Sequence, residues 1–570
     1  MIDMMTSTAH IHQTTSSTCP MPNFAVLEAR KLGISWKYKI KCANCPFTSP
    51  TFNLYHEIHQ EGPGRNPSAT NIALAYAIQD TAIGAEKIIE LLTCLDIPAP
   101  SKSFMQTLLC KTSRKMTELN KLDMNDKIQK VKEVNVTRGH PENIINISTD
   151  ARYNSSVMFS RKTPGQNASQ AFSLAVETNT DRKYILACAV QNKLCWTGAW
   201  LRGKGMEVDC PGGHAECTAN LSPAAPFSEY EMGKDIGTQL GLQDVLVRYV
   251  TTDGDAQGAK GVDDAMRALH PLWRVERLAD HVHLGQSQFR ASNRAVYSDE
   301  MFHSKTKEEK KELQRVFSND LKSRCSMIVK KLFTKYDRDL EKMSSFLPKV
   351  LEATVACYDG DCSMCAAYSL VCEGGVVSNW WNFSRNLAIY RITALQMNDN
   401  DLRIVTEVLK MKLSVEAISA MKLLTDTNAN ESYHRSASAN MPKNVKFSRT
   451  MEGRLHSMIH RRNNLPGTST RLKCESAGVQ YSDSGKRRLA RIDQQFLYRQ
   501  EYHKKEKIKT RRNKQQGRKM EEHHLYRQEH RTKSDYRKGQ LDMNLPAARD
   551  HPYHRRGACQ YHLRPRPGCD

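Results

Sequence analysis

The spacing of apolar residues changes period along this 570-residue chain, and the changes mark out its elements. From about Ala69 to Val131 apolar positions return every third or fourth residue, as in NIALAYAIQDTAIGAEKIIELLTCLDI, which predicts helices. The prolines of Ile97-Pro98-Ala99-Pro100 divide that run in two. A helix, a short turn and a helix carrying Lys111, Arg114 and Lys115 suit either a helix-turn-helix or a helical hairpin used for packing. The period then shortens. Apolar runs at Asn143–Thr149, Ser156–Ser160 and Lys183–Leu194 predict three strands. A helix over EYEMGKDIGTQLG, a strand over DVLVRYVTT, a helix over GAKGVDDAMRAL and a short strand in WRVERLAD follow. From about Thr306 to Leu423 the pattern is again helical, and a last helical stretch begins near Asn428.

Three strands, a helix, a strand, a helix and a short strand is the order of the ribonuclease H fold, an α/β architecture. Its first three strands form an antiparallel meander and its later ones lie parallel. In that order the first strand carries Asp150 just past its apolar run, and the fourth ends on Asp253. Those strands are neighbours in such a core, so the two acids meet at one sheet edge. Close carboxylates repel unless a cation neutralises them. Mg²⁺ or Mn²⁺ takes a few carboxylates together with water and phosphate oxygens, and a pair of such ions about 4 Å apart supports phosphoryl transfer. Taken alone, Asp253-Gly254-Asp255 also reads as a polar turn. A third acid is available at Glu431, near the start of the last helical stretch, with His434 one turn on. Asp255 competes with Asp253 for the second position.

Charge adds a partner. Lys+Arg number 84 against 61 Asp+Glu, a formal net charge of +23. From Lys486 to Asp570 there are 24 Lys/Arg and 10 Asp/Glu, so more than half of the excess lies in that segment. It reads as a disordered or loosely helical basic arm for phosphates or a nuclear address, with a merely solvated tail as the alternative. Mean hydropathy is −0.60. No apolar run approaches the ~18 residues of a membrane span. The first residues show neither a basic stretch nor an apolar run, and predict no secretory signal.

There are 17 cysteines, and in a chain without a secretory signal their clusters favour metal over disulfides. Cys357, Cys362, Cys365 and Cys372 fit a four-cysteine zinc knot, with Trp380 and Trp381 packing beside it or stacking on bases. Cys195, Cys210, His214 and Cys217 form a second candidate for Zn²⁺, or a loop with incidental thiols. Cys42 and Cys45 form a third, which His56 and His59 would complete.

The stretches WKYKIKCANCPF, DARYNSS, QNKLC, CTANL, YVTTDGDAQGA, HLGQSQFR, CYDGDCSMC, NWW and NESYHRSASANMPKNVKFSR together resemble the Mutator-like transposases, in particular the domain carried by animal transposable elements. The resemblance runs from about Trp36 to Gly478. It implies a ribonuclease H-like core with Asp150, Asp253 and Glu431 as the catalytic triad and divalent metal as cofactor. It further implies terminal-repeat DNA as substrate, target DNA as acceptor, a homo-oligomer that synapses two ends, and a nuclear location. The two other readings of the same core are a domesticated or decayed DNA-binding protein without catalysis and a nuclease without strand transfer. One departure stands out. Many members carry Cys-x2-His after the second acid, where this chain has Asp280 and His283.

The organisation expected is an irregular N-terminus (1–35), a Cys/His and helical DNA-binding region (36–135) and the first part of the core (140–300). A helical, cysteine-rich insertion (301–424), the last part of the core (425–480) and a basic, disordered tail (481–570) complete it.

Overall fold

The computed structural model describes residues 2–59, 66–154, 168–214, 216–254, 256–302, 306–372 and 394–529. The chain opens on a helix, Ile2–Thr15, and a small sheet of β1 (Phe24–Leu32), β2 (Ser35–Cys42) and β3 (Phe52–Asn53). The irregular start expected over 1–35 is therefore a helix and a hairpin. Leu32 pairs with Ser35 across a two-residue loop, and Gly33 takes the positive φ (64°) that such loops demand. The hairpin escaped the sequence reading because β1 is mostly exposed and carries no clean alternation.

Helices Ala69–Gln79, Ala85–Cys94 and Lys102–Thr137 follow. The last runs 36 residues and buries Met105, Leu109, Met116, Met124, Ile128 and Val131 along its length. It is a spine of the core, and Lys111, Arg114 and Lys115 lie on its exposed face.

The central sheet has five strands in the order β6-β5-β4-β7-β8: β4 (Ile144–Tyr153), β5 (Gln170–Glu177), β6 (Ile185–Asn192), β7 (Leu246–Thr252) and β8 (Glu276–Ala279). β4 pairs antiparallel with β5 and β5 with β6, whereas β4–β7 and β7–β8 are parallel. The protein is thus a mixed α/β molecule with a mixed five-stranded sheet. Two expectations change. The strand expected at Ser156–Ser160 lies outside the described residues, and the second strand is QAFSLAVE, buried at every position. A strand covered on both faces shows no alternation to read. The first strand also runs on to Tyr153, so Asp150 sits within β4 and not beyond its end.

Period-two alternation gives the sheet two faces. Ile145 and Ile147 point into one core, with Val247 and Val250, under helices Glu229–Gly241 and Gln257–Leu269. Those helices approach so closely that a Cβ on Gly233 would lie 2.1 Å from Gly258 O, and one on Gly261 would lie 2.0 Å from Tyr230 O. Phe172, Leu174 and Val176 of β5 point the other way, against Ala437, Leu455 and Ile459 of helices Asn428–Asn440 and Met451–Asn463.

Between β8 and that second face lies a helical unit, His281–Arg294, Lys307–Lys335, Leu340–Tyr358, Cys365–Tyr368, Asp399–Leu413 and Val415–Ala420, with its own core around Phe317, Leu321, Leu332, Val350 and Leu409. Trp380 and Trp381 fall outside the described residues. The basic segment expected to be disordered begins as two helices, Asp483–Lys504 and Glu506–Glu529. Asp493 docks the first of them. It accepts hydrogen bonds from Gly467 N (2.6 Å), Thr468 N (2.9 Å) and Thr468 Oγ1 (2.7 Å), satisfying the start of helix Pro466–Ser476. No described helix is long and apolar enough to cross a membrane.

Candidate active site

Register places the first two acids. β4 and β7 run parallel with Ser148 opposite Thr251. Asp150 and Asp253 each stand two residues further on, so both belong to the face that Ser148 and Thr251 present. That face receives helix Asn428–Asn440. Ser148 Oγ donates to Asn430 Oδ1 at 2.7 Å, and Asn430 Nδ2 donates to the carbonyls of Ser148 (3.3 Å) and Leu174 (3.0 Å). His434 Nδ1 lies 3.3 Å from Asp150 Oδ2, and Arg152 donates to Ser438 Oγ at 3.1 Å. Strand positions 148, 150 and 152 therefore meet helix positions 430, 434 and 438. Two strand residues advance about 6.6 Å and four helical residues about 6 Å, so the matching holds over the contact. It brings Glu431, in the helix's first turn, near enough for its charge to act on Asp150.

Asp253 is exposed, one residue past β7. Arg277 of β8 braces its turn, donating from Nε to Thr252 Oγ1 (2.9 Å) and from its guanidinium to Gly254 O (3.1 Å). Asp255 lies outside the described residues.

Asp280 and His283, which stand where the resemblance leads one to expect Cys-x2-His, have separate tasks. Asp280 is the N-cap of helix His281–Arg294. One oxygen accepts from Val282 N (2.6 Å) and His283 N (3.0 Å), and the other from Thr427 N (2.8 Å) and Thr427 Oγ1 (2.7 Å). Burial works against its charge, but those hydrogen bonds, Thr427's foremost, hold its carboxyl below the usual range. His283 spans the gap. Its Nδ1 lies 3.3 Å from Asp280 Oδ2 and its Nε2 3.3 Å from Glu431 Oε1. Glu431 is 41% exposed at the side chain, and Arg435 stands 3.7 Å from its other oxygen.

Electrostatics mark Asp150 as the strained member. Burial, then the charges of Asp253 and Glu229, push its carboxyl up from 3.8 to about 7, with Glu431 adding a smaller push. Its partner His434 is driven the other way, to about 4, by burial and the positive charges of Arg152 and Lys443. His434 is accordingly a neutral imidazole. Glu229, which accepts a hydrogen bond from Tyr153 Oη at 2.7 Å, was not singled out in the sequence. Neither were Thr427 and Arg277, and no local spacing announces them.

The linkage has a definite sign. Because the folded pKa of Asp150 is raised, its protonated form favours the fold. That contribution is whole below about pH 4 and is lost as pH rises to about 7. In melts without added magnesium or manganese, Asp150→Asn is expected to flatten the decline over that window. At pH 8 the variant should be more stable than the wild type by about 1–3 kcal/mol. Parallel melting of the two proteins across the window would contradict the raised pKa.

Among the described residues the three acids do not form a group whose ligand atoms all lie within 4.8 Å of one another. Three sets of thiols and imidazoles do. Cys357, Cys362, Cys365 and Cys372 form one, with Cys362 and Cys357 sulfurs 3.6 Å apart. Cys195, Cys210, His214 and Cys217 form another, in which His214 Nε2 lies 3.3 Å from the sulfurs of both Cys195 and Cys210. Gly198 is required beside it, since a Cβ there would sit 2.5 Å from Cys210 Sγ. The third set corrects an expectation. Cys42 and Cys45 are joined by His12 and Cys19, while His56 and His59 are exposed and take no part. All three sets are compatible with structural zinc, whose tetrahedron places ligand atoms about 3.3–3.8 Å apart.

The sequence model of the Mutator-like transposase family matches residues 1–372. The match includes Asp150, Asp253 and all three thiol sets, and ends before Glu431. No curated protein matches the chain.

Proposed function

Because the chain belongs to the Mutator-like transposase family, a family of transposition enzymes whose partner is DNA, we propose that Asp150, Asp253 and Glu431 form the divalent-metal site of a phosphodiester-cleaving and strand-transferring centre. The observation that carries this reading is geometric: parallel strands β4 and β7 bring Asp150 and Asp253 onto one face, and helix Asn428–Asn440, with His434 Nδ1 3.3 Å from Asp150 Oδ2, brings Glu431 to them, so that the charges of Asp253, Glu229 and Glu431 all act on Asp150. Carboxylates brought together against their own repulsion are what a bound cation stabilises. The strand order β6-β5-β4-β7-β8, with its antiparallel meander and parallel continuation, supports reading the core as ribonuclease H-like.

Mg²⁺ or Mn²⁺ held there supplies activation of the attacking oxygen and stabilisation of the leaving one. The chain's own groups prepare the site. β4 and β7 present Asp150 and Asp253 from neighbouring parallel strands. The Asn430 hydrogen bonds fix the register of the helix that carries Glu431. His434, neutral, offers Nδ1 to Asp150 without competing as a charge. His283, oriented by Asp280 and Thr427, holds the Glu431 carboxylate. Water attacks the phosphodiester at an element end, and the freed 3′-hydroxyl attacks target DNA by the same in-line displacement. Under this reading the substrate is terminal-repeat DNA, bound by an oligomer that pairs two ends. The basic helices beyond Asp483 suit salt-dependent contact with phosphates and a nuclear location. Zinc is assigned to the four-cysteine set and to Cys195, Cys210, His214 and Cys217.

His283 gives this reading a specific consequence. His283→Ala is expected to lower cleavage of end-bearing duplex about 10–100-fold and to raise the metal concentration needed for half-maximal rate, as loss of a group orienting a ligand does. Melting should be unchanged and His283→Gln should recover part of the rate. Wild-type metal dependence in His283→Ala would remove His283 from the site. Cleavage retained by Asp253→Ala would sink the acid site itself.

A further inference from the structure

We propose that His12, Cys19, Cys42 and Cys45 bind a zinc ion that fastens the N-terminal helix to the open end of the β1–β2 hairpin. The four ligand atoms lie within 4.8 Å of one another. His12 Nε2 is 3.2 Å from Cys45 Sγ, and the sulfurs of Cys19 and Cys42 are 4.0 Å apart. With metal–nitrogen bonds near 2.0 Å and metal–sulfur bonds near 2.3 Å, a tetrahedral ion has ligand edges of about 3.5–3.8 Å, between those two separations. The sulfurs are far outside the ~2.05 Å of a disulfide.

The surroundings are built for the ligands. Cys42 and Cys45 form a Cys-x2-Cys turn at the end of β2, where Asn44 N points at Cys42 Sγ (3.4 Å) and Ala43 N donates to Asn23 O (2.7 Å). Phe24 pairs with Cys42 in the hairpin register, so the ion sits across the end opposite the tight turn. The His12 ring is held edge-on between Phe24 (centroids 5.3 Å) and Phe47 (centroids 5.0 Å).

The helix itself supplies the second reason. Among the described residues of Ile2–Thr15 only Thr8 and His12, one turn apart, are buried, at 0% and 3% exposure. It has no apolar stripe to bury, and a helix of 14 residues with a polar surface does not persist in water by propensity alone. Thr8 spends its hydroxyl on its own helix, donating to Met4 O. The bond from His12 to a metal, continued through Cys19, is what holds this segment in place.

The test is zinc content of the full-length chain, measured by mass spectrometry of the metal after gel filtration, with limited proteolysis alongside. Cys19→Ser is expected to hold one zinc fewer per chain than the wild type, and His12→Ala to hold it weakly or lose it. Cleavage between residues 2 and 23 should accelerate at least about tenfold in both, since the segment then opens locally. Cys19→His, which restores a ligand, should recover both readouts, so a misfolded Cys19→Ser would not by itself decide the matter. The double variant His56→Ala/His59→Ala should match the wild type. Unchanged zinc in Cys19→Ser, loss of one zinc in the His56/His59 variant, or a Cys19–Cys42 disulfide in the purified chain would each overturn the proposal.

Discussion

Asp253→Ala and Glu431→Ala, made separately, are each expected to lower metal-dependent cleavage of duplex DNA carrying the element's own ends by at least about a thousandfold. A ligand removed from a metal that must stabilise both attacking and leaving oxygens forfeits several kcal/mol of transition-state stabilisation, and each 1.36 kcal/mol is tenfold in rate. Neither change should harm the fold. Asp253 is exposed in a turn braced by Arg277, and Glu431 is half-buried with its carboxylate held by His283. End binding and melting are therefore expected to stay near wild type while cleavage disappears. Asp150→Asn should abolish cleavage as well, but with the gain in apo stability at pH 8 that follows from its raised carboxyl. That split separates a catalytic role from a structural one. A wild-type protein that binds ends yet fails to cleave them with any divalent metal, as its variants fail, would make this chain a DNA-binding relative that has lost the reaction.

The second large effect lies in the helical unit. Cys365→Ser is expected to remove one zinc per chain and lower the melting midpoint of that unit on the order of 10 °C. Cys357 and Cys365 are 0% and 1% exposed, and burial pushes the Cys362 thiol up to about 11 and Cys365 higher still. Four sulfurs gathered without an ion offer little cohesion, whereas a metal takes them as thiolates and makes its binding free energy part of folding. Arg324 sharpens the case. It is wholly buried, stacks 4.7 Å from the Tyr358 ring and faces both Asp320 and Cys357, and Tyr358 Oη donates to Asp320 at 2.7 Å. A thiolate at Cys357 gives that guanidinium a second negative neighbour. Loss of the metal frees the Cys357 sulfur to move away from the guanidinium, and a buried charge stripped of a partner costs about 3–5 kcal/mol. Spread over a unit of this size, that is the shift given above. Zinc content and melting followed together check it. Metal-free protein that melts with the wild type would reduce the four cysteines to ordinary core residues.

The parts of this architecture that sequence exposes are those with a local signature. β7 is an apolar run that stops at a polar turn, and the helices on either side of it carry their own periodicity, so Asp253 could be placed at a strand end from its neighbours alone. Glu431 stood near a helix start for the same reason. What escaped has no local signature. β5 is buried on both faces and reads as an undifferentiated apolar run, so the second strand was sought at Ser156–Ser160. His12 and Cys19 complete a ligand set with residues 23 to 33 positions away, and His56 and His59 looked better only because they follow Cys42 and Cys45 closely in sequence. The contacts of Asn430, Thr427, Glu229 and His283 join segments from 76 to 282 residues apart, through hydrogen bonds and charges. Spacing encodes contacts along one element; these are contacts between elements, and only the packed chain brings them together.

Manganese binding tests the acid site most directly, because it does not require turnover. Purified full-length protein is titrated with Mn²⁺ at pH 8 in the presence of end-bearing duplex, and free Mn²⁺ is followed by electron paramagnetic resonance. The wild type is expected to bind one or two ions that Asp150→Asn, Asp253→Asn and Glu431→Gln each weaken at least about tenfold, with zinc content unchanged in all three. Equal Mn²⁺ binding by the wild type and a variant lacking all three carboxylates would show that these acids hold no metal, and the proposed reaction would lose its site.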